Sequence, residues 1–236
     1  MGRHFEVRAA AMAASAKAKS AIYMRASKEI YAAAKSGEPD PNSNLALRSA
    51  IEKYRKSCPK DVIERAIEKA KGGDTVAYIN GRYEFMGPGG SNIIVDTLTD
   101  NVNRALVTVR TIVTRKGGKM AAVAYNFEPL GIINFKGATE EAVEESLILA
   151  DVDVKAVTVD ENGEVEVQVA PGDLEKAKEV LKTDFSVEEF DRAETTMYPN
   201  EWIDVDDEAK AKLSAMLAEL DESEDVQAVY TNVGNI

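Results

Sequence analysis

The side chains best equipped for chemistry in this chain are cations, and they fall in two groups. Arg3, Arg8, Lys17, Lys19, Arg25, Lys28 and Lys35 recur through the first 35 residues, with Tyr23 and Tyr31 between them. Asn103, Arg104, Arg110, Arg115 and Lys116 form the second group. Cations along a helix can grip phosphate oxygens, and interleaved tyrosines can stack on bases. At 100° per residue, Val102, Leu106, Val109 and Val113 share one face, which turns Arg104 and Arg115 outward with Thr108 and Thr111 between them. Asn103 and Arg110 fall at the edge of that apolar stripe. Both groups also admit a plainer reading, a solvated helix face with the tyrosines packed in a core. No helix-turn-helix pattern marks a recognition helix.

Residue sets for catalysis are scarce. His4 is the one histidine, so no Ser-His-Asp or Cys-His arrangement is available. Cys58 is the one cysteine, and its place before Pro59 in a turn reads as unreactive. A single cysteine also excludes an internal disulfide and a cysteine-based zinc site. Gly87-Pro88-Gly89-Gly90 lacks the spacing of a phosphate-binding loop or a dinucleotide fingerprint. Pro-Gly suits a tight turn that needs φ > 0, so the loop reads as a hairpin connection, with close approach of a partner as the alternative. The acidic run from Asp204 to Glu208 reads as a helix cap with favourable charge rather than a metal site. The expectation is a non-enzymatic protein without metal or cofactor.

Charge is divided unevenly. Residues 1–71 carry 15 Lys and Arg against 8 Asp and Glu, +7, whereas residues 131–236 carry 8 against 28, −20. A positive front and a negative rear suit two surfaces with different partners, or simply an acidic protein with one basic end. No apolar run approaches the ~18 residues of a membrane span, and no leader is legible, so the expected setting is cytoplasmic with no membrane partner.

These residues need elements to hold them. Arg8–Ser20 and Ile22–Lys35 are alanine-rich helix, Asn44 caps a helix through about Lys56, and Lys60–Lys71 follows Pro59 with a stripe of Val62, Ile63, Ala66, Ile67 and Ala70. From Gly81 the pattern becomes strand 82–85, the glycine turn, strand 91–98, helix 102–116 and a strand near 122–127. After Pro129, strands and helices run 131–135, 139–150, 154–160, 164–169, 173–182 and 188–195, a βαββαβ unit with an Asn162-Gly163 hairpin. A helix from about Asp206 and a strand at 226–230 complete the interrupted middle unit. The expected class is α/β (α+β). Its expected domains are a basic helical domain 1–79, a discontinuous middle domain 80–130 and 200–236, and an acidic inserted domain 131–199.

The strings RYEFMGPGGSNIIVDTLTDNVNR, RTIVTRKGGK, PKDVIERAIEKAKGG and EDVQAVYTNV resemble the YebC/PmpR family, nearest its YeeN-like branch through GRYEFMGPGGS and EIYAAAKSGEPDPN. His4-Phe5 replaces the family's usual Lys-Trp pair, and Ala105 stands where threonine commonly follows Asn-Arg. The resemblance implies a helical bundle followed by two ferredoxin-like α/β domains, one inserted in the other. It implies a regulator of gene expression that binds DNA. Relatives that act on ribosomes keep a second target open, ribosomal RNA, with the ribosome or the transcription machinery as the larger partner. A protein-interaction adaptor that binds no nucleic acid is the remaining expectation.

Overall fold

A computed structural model of the chain describes residues 3–72 and 76–236, with side chains from residue 18 onward. Two compact units emerge, one of Met1–Ala124 with Trp202–Ile236, the other of Tyr125–Glu201.

The first unit begins with α1 (Arg3–Lys35), one helix of 33 residues where the sequence suggested two segments. Its alanine-rich middle contains no glycine or proline to interrupt it. Asn44 caps α2 (Leu45–Tyr54): its Oδ1 accepts from the Leu47 amide at 3.0 Å, and its Nδ2 donates to the Ala33 and Glu38 carbonyls. A buried asparagine thus fixes the 36–43 loop against α1. The third helix, α3 (Lys60–Lys71), turns Ile63, Ala66 and Ala70 inward, and Val62 and Ile67 stay half-buried. These side chains meet Ala26, Ile30, Ala34, Leu47 and Tyr54 in one core. The many alanines let the helices approach closely.

The same unit holds a four-stranded antiparallel sheet, built from β1 (Ile79–Met86), β2 (Asn92–Thr99), β3 (Lys119–Met120) and β8 (Val226–Thr231) in the order β3-β1-β2-β8. Helices α4 (Val102–Arg115) and α7 (Asp207–Asp221) share one core against it, with Phe85, Ile93 and Val95 facing Val109, Val113, Leu213, Met216 and Leu220. The glycine loop joins β1 to β2. Gly89 takes φ +68°, and a Cβ there would lie 2.7 Å from Val205 Cγ1, so the loop is pressed onto the approach to α7.

The expected strand at 122–127 is not there. Only Lys119–Met120 pairs with β1, and Ala124–Asn126 forms a 3-10 turn. The Val123 and Ala124 amides instead donate to Glu84 Oε2 at 2.7 and 2.8 Å, so a side chain on β1 replaces the ladder.

The second unit runs β4 (Phe127–Lys136), α5 (Glu140–Leu149), β5 (Val154–Val159), β6 (Glu164–Val169), α6 (Leu174–Asp184) and β7 (Arg192–Pro199). Its strand order β5-β6-β4-β7 is that of the split βαβ unit. Ile133, Phe135, Val143, Leu147, Val165, Val167 and Leu181 form its core. Strand β4 starts at Phe127 and passes through Pro129, which the sequence reading took as a boundary. Pairing with β6 begins only at Gly131, so Pro129 faces β7 alone and its missing N–H disrupts no ladder. The unit therefore opens at Tyr125, not at 131, and closes at Glu201, not at 199. Strand β7 also starts later than expected, because Phe185, Val187 and Phe190 pack against the core as a loop. At the hairpin, Asp160 Oδ1 accepts from the Glu164 and Asn162 amides at 2.8 Å each, and these bonds hold its carboxyl below the usual range. No helix among the described residues is long and apolar enough to cross a membrane.

Candidate nucleic-acid interface

Lys19 and Lys35 are exposed on α1, as a phosphate contact requires. Lys35 donates to the Gly72 carbonyl at 3.2 Å. Arg3, Arg8 and Lys17 lie outside the residues whose side chains are described. Arg25 and Lys28 behave otherwise, and here the sequence expectation is corrected. Both are buried, at 9% and 5% exposure, and both are spent on carboxylates of the C-terminal segment. Arg25 forks onto the Asp221 carboxylate and its backbone carbonyl, with Nη1 2.8 Å from Oδ1. Lys28 Nζ lies 2.8 Å from Asp225 Oδ1 and 2.8 Å from the Glu224 carbonyl. The helical phase that put these cations beside Lys35 also turned them toward α7.

The tyrosines are core residues. Tyr31 is buried, accepts from the Val76 amide through its hydroxyl and meets Tyr78 edge-on at 5.6 Å. Tyr23 is half-buried against the same cluster. Stacking of a base on Tyr31 is excluded by that burial.

On α4 the buried positions are Ala105, Val109, Ile112 and Val113. Val102 and Val107 are exposed, at 39% and 63%. The apolar stripe is rotated toward Ile112, so Asn103 and Arg110 stand in solvent rather than at the stripe's edge. Together with Val107 and Thr114 they make the outermost face of the helix. Asn101 positions the helix start, its Oδ1 accepting from the Arg104 amide at 3.0 Å.

Arg104 and Arg115 are half-exposed but partnered, which corrects the expectation of an open arginine face. Arg104 grips Asp225 with two bonds, 3.0 Å from Nε and 2.9 Å from Nη2, and reaches Asp100 at 2.7 Å. Arg115 pairs with Glu219 on α7. Lys116 closes the helix half-buried, and Lys119 beyond it is exposed.

Asp225 is the centre of this arrangement. Burial alone would raise its carboxyl, yet hydrogen bonds from Arg104 and Lys28 outweigh that effect and hold it below the usual range. The same bonds to Asp225 and Asp100 raise the Arg104 guanidinium further. The Asp225 backbone carbonyl accepts from the Leu98 amide at 2.9 Å, which ties the turn before β8 to β2. Nothing local in the sequence points to these partners of Asp221 and Asp225, because they lie more than 100 residues away along the chain.

The helical region is not uniformly basic either. On α3, Lys60, Arg65 and Lys71 pair with Glu64, Asp61 and Glu68, and Lys53 of α2 pairs with Glu29. Cys58 is buried, and that burial pushes its thiol up, away from a reactive thiolate. Among the described residues no group of three or more His, Cys, Asp or Glu side chains is placed to hold a metal.

The model of the TACO1/YebC N-terminal domain matches residues 3–73, and that of the TACO1/YebC second and third domains matches 78–233. A probable transcriptional regulatory protein of Mesoplasma florum is 47% identical over 236 residues, covering 98% of this chain and 99% of its own. The probable transcriptional regulatory protein YeeN of Escherichia coli K12 is 41% identical over 240 residues, with both chains covered fully. Among solved structures, a conserved hypothetical protein from Aquifex aeolicus superposes with a TM-score of 0.75 at 31% identity, over 91% of this chain and 90% of that one. The breaks between the matched regions follow the passage from α3 to β1, and the matches cover nearly the whole length: the chain belongs to the TACO1/YebC family.

Proposed function

We propose that the protein is a non-enzymatic regulator of gene expression that works by gripping nucleic-acid phosphates, with DNA as the target. The observation that carries this reading is the outer face of α4. Asn103 and Arg110 are exposed there, Arg110 makes no ion pair among the described residues, and Lys119 lies just beyond the helix end. Exposed Lys19 and Lys35 on α1 extend the cationic set. Relatives named as probable transcriptional regulatory proteins support the regulatory part. Such contacts position a duplex without reading its sequence.

Titration of ~20-bp duplex DNA at ~50 and ~200 mM salt tests the reading, because each phosphate contact adds about −0.9 to the log–log salt slope. Arg110→Glu is expected to weaken binding and flatten the slope by about one contact. Salt-independent binding, or none, removes the reading. A second target, the ribosome, is favoured by one observation. Residues 125–201 carry 20 Asp and Glu against 6 Lys and Arg, −14, a surface better suited to basic ribosomal proteins than to naked duplex. Co-sedimentation with ribosomes without duplex affinity would shift the assignment to a translation factor.

A further inference from the structure

Four cations that the sequence offers for phosphate binding are held by one stretch of the chain, the end of α7 and the turn after it. Glu219 holds Arg115, Asp221 holds Arg25, and Asp225 holds both Lys28 and Arg104. Asp100 adds a second carboxylate to Arg104.

Burial divides these contacts into two kinds. The Lys28–Asp225 pair has side-chain exposures of 6% and 7%, and the Arg25 side chain is 11% exposed. No phosphate reaches cations so placed, and these pairs join α1 to α7 and to the turn before β8. The Arg104 and Arg115 side chains are 51% and 58% exposed, and their partners Asp100 and Glu219 are 49% and 31% exposed. Exposed carboxylate–guanidinium pairs are weak, so a phosphate oxygen can replace Glu219 on Arg115 at small cost, whereas Arg104 stays in its two-bond grip on buried Asp225.

We infer that Glu219 is an internal phosphate surrogate: it occupies Arg115 in the free protein and yields it to nucleic-acid phosphate on binding. The inference rests on the proposed function and adds a regulatory element to the same surface. Arg115 lies in the last turn of α4, followed by Lys116 and the exposed Lys119, whereas Arg110 projects from the outer face of the helix. Displacement of Glu219 therefore adds a guanidinium to the cationic end of the helix. Phosphates that reach only the outer face meet Arg110, whereas a backbone that also reaches the helix end recruits Arg115. The surrogate thus selects for fit and suppresses indiscriminate coating.

The test is a double-mutant cycle on the full chain, read by anisotropy of a labelled duplex DNA, with a ribosomal RNA hairpin as the second arm. Glu219→Gln is expected to tighten binding about two- to five-fold, the equivalent of one exposed pair. It should leave the salt slope unchanged if Arg115 already engages in the complex. The gain must vanish in the Arg115→Gln background, because no arginine is then released. A gain of equal size with and without Arg115 would mean a general charge effect and would overturn the inference. So would no gain at all in a protein that binds with a normal salt slope. Wild type and variants that all fail to bind either probe would instead defeat the proposed function itself. Unchanged circular dichroism and melting of Glu219→Gln confirm that the fold is not the variable.

Discussion

Burying Lys28 and Asp225 together takes two charges out of water, and the surrounding bonds make that tolerable. Asp225 accepts from Lys28 and twice from Arg104, and Lys28 has the Glu224 carbonyl as a second acceptor. Removing one partner of such a pair typically costs ~3–5 kcal/mol, because the other charge is left buried alone. Asp225→Ala is expected to destabilise the protein by about that much in urea unfolding. Lys28→Met should cost less, since Asp225 keeps its Arg104 fork. The pair also sets a pH dependence with a definite sign. The folded-state pKa of Asp225 lies below its unfolded value of about 3.9, so its contribution is complete above that value and is lost as pH falls through the folded pKa. Stability plotted against pH should therefore fall on the acid side for wild type, and less steeply for Asp225→Ala. An identical acid limb in both proteins would remove this account of the pair.

At the scale of elements, the glycine loop separates two effects that the sequence could only merge. Gly89 and Gly90 have φ of +68° and +77°, so an L side chain is strained at either. Only Gly89 is also crowded, with Val205 Cγ1 at 2.7 Å and Ala209 Cβ at 3.0 Å from its would-be Cβ, whereas Gly90 opens onto space. Gly90→Ala is expected to cost about 1 kcal/mol. Gly89→Ala should cost clearly more, about 2–3 kcal/mol, because α7 must shift. Equal melting temperatures for the two variants would mean that the loop does not bear on α7. Elements of this kind were legible wherever local chemistry decided them. Asn44 caps the helix it precedes, α4 starts at Val102 as expected, and the Asn162-Gly163 hairpin falls where its dipeptide puts it. The phase of α4 was legible only in part: Val109 and Val113 are buried as their spacing implies, but Val102 is exposed, and only tertiary packing decides that Ala105 and Ile112 are buried instead. The same holds for Arg25, Lys28, Arg104 and Arg115, whose acidic partners come from the other end of the chain.

For the molecule as a whole, the inserted unit is built to stand by itself. Its two ends are adjacent: Phe127 pairs with Pro199, and the Asn200 amide donates to the Asn126 carbonyl at 2.8 Å. A unit with neighbouring ends, its own sheet and its own core from Ile133 to Leu181 meets the conditions for folding alone. The first unit does not, since α7 and β8 supply one side of its core and a strand of its sheet from beyond the insertion. Residues 125–201 expressed alone should therefore unfold cooperatively, whereas a chain ending at residue 124 should not fold its sheet. The −14 charge of the isolated unit adds a specific signature. Self-repulsion between like charges is screened over about 8 Å at ~0.15 M ionic strength, so added salt should raise its melting temperature. The isolated unit should also leave duplex DNA unbound at every salt concentration. Binding of DNA by residues 125–201 would move the polyanion surface off α4 and α1 altogether, and a melting temperature that falls with salt would show that its carboxylates are held by ion pairs rather than left to repel one another.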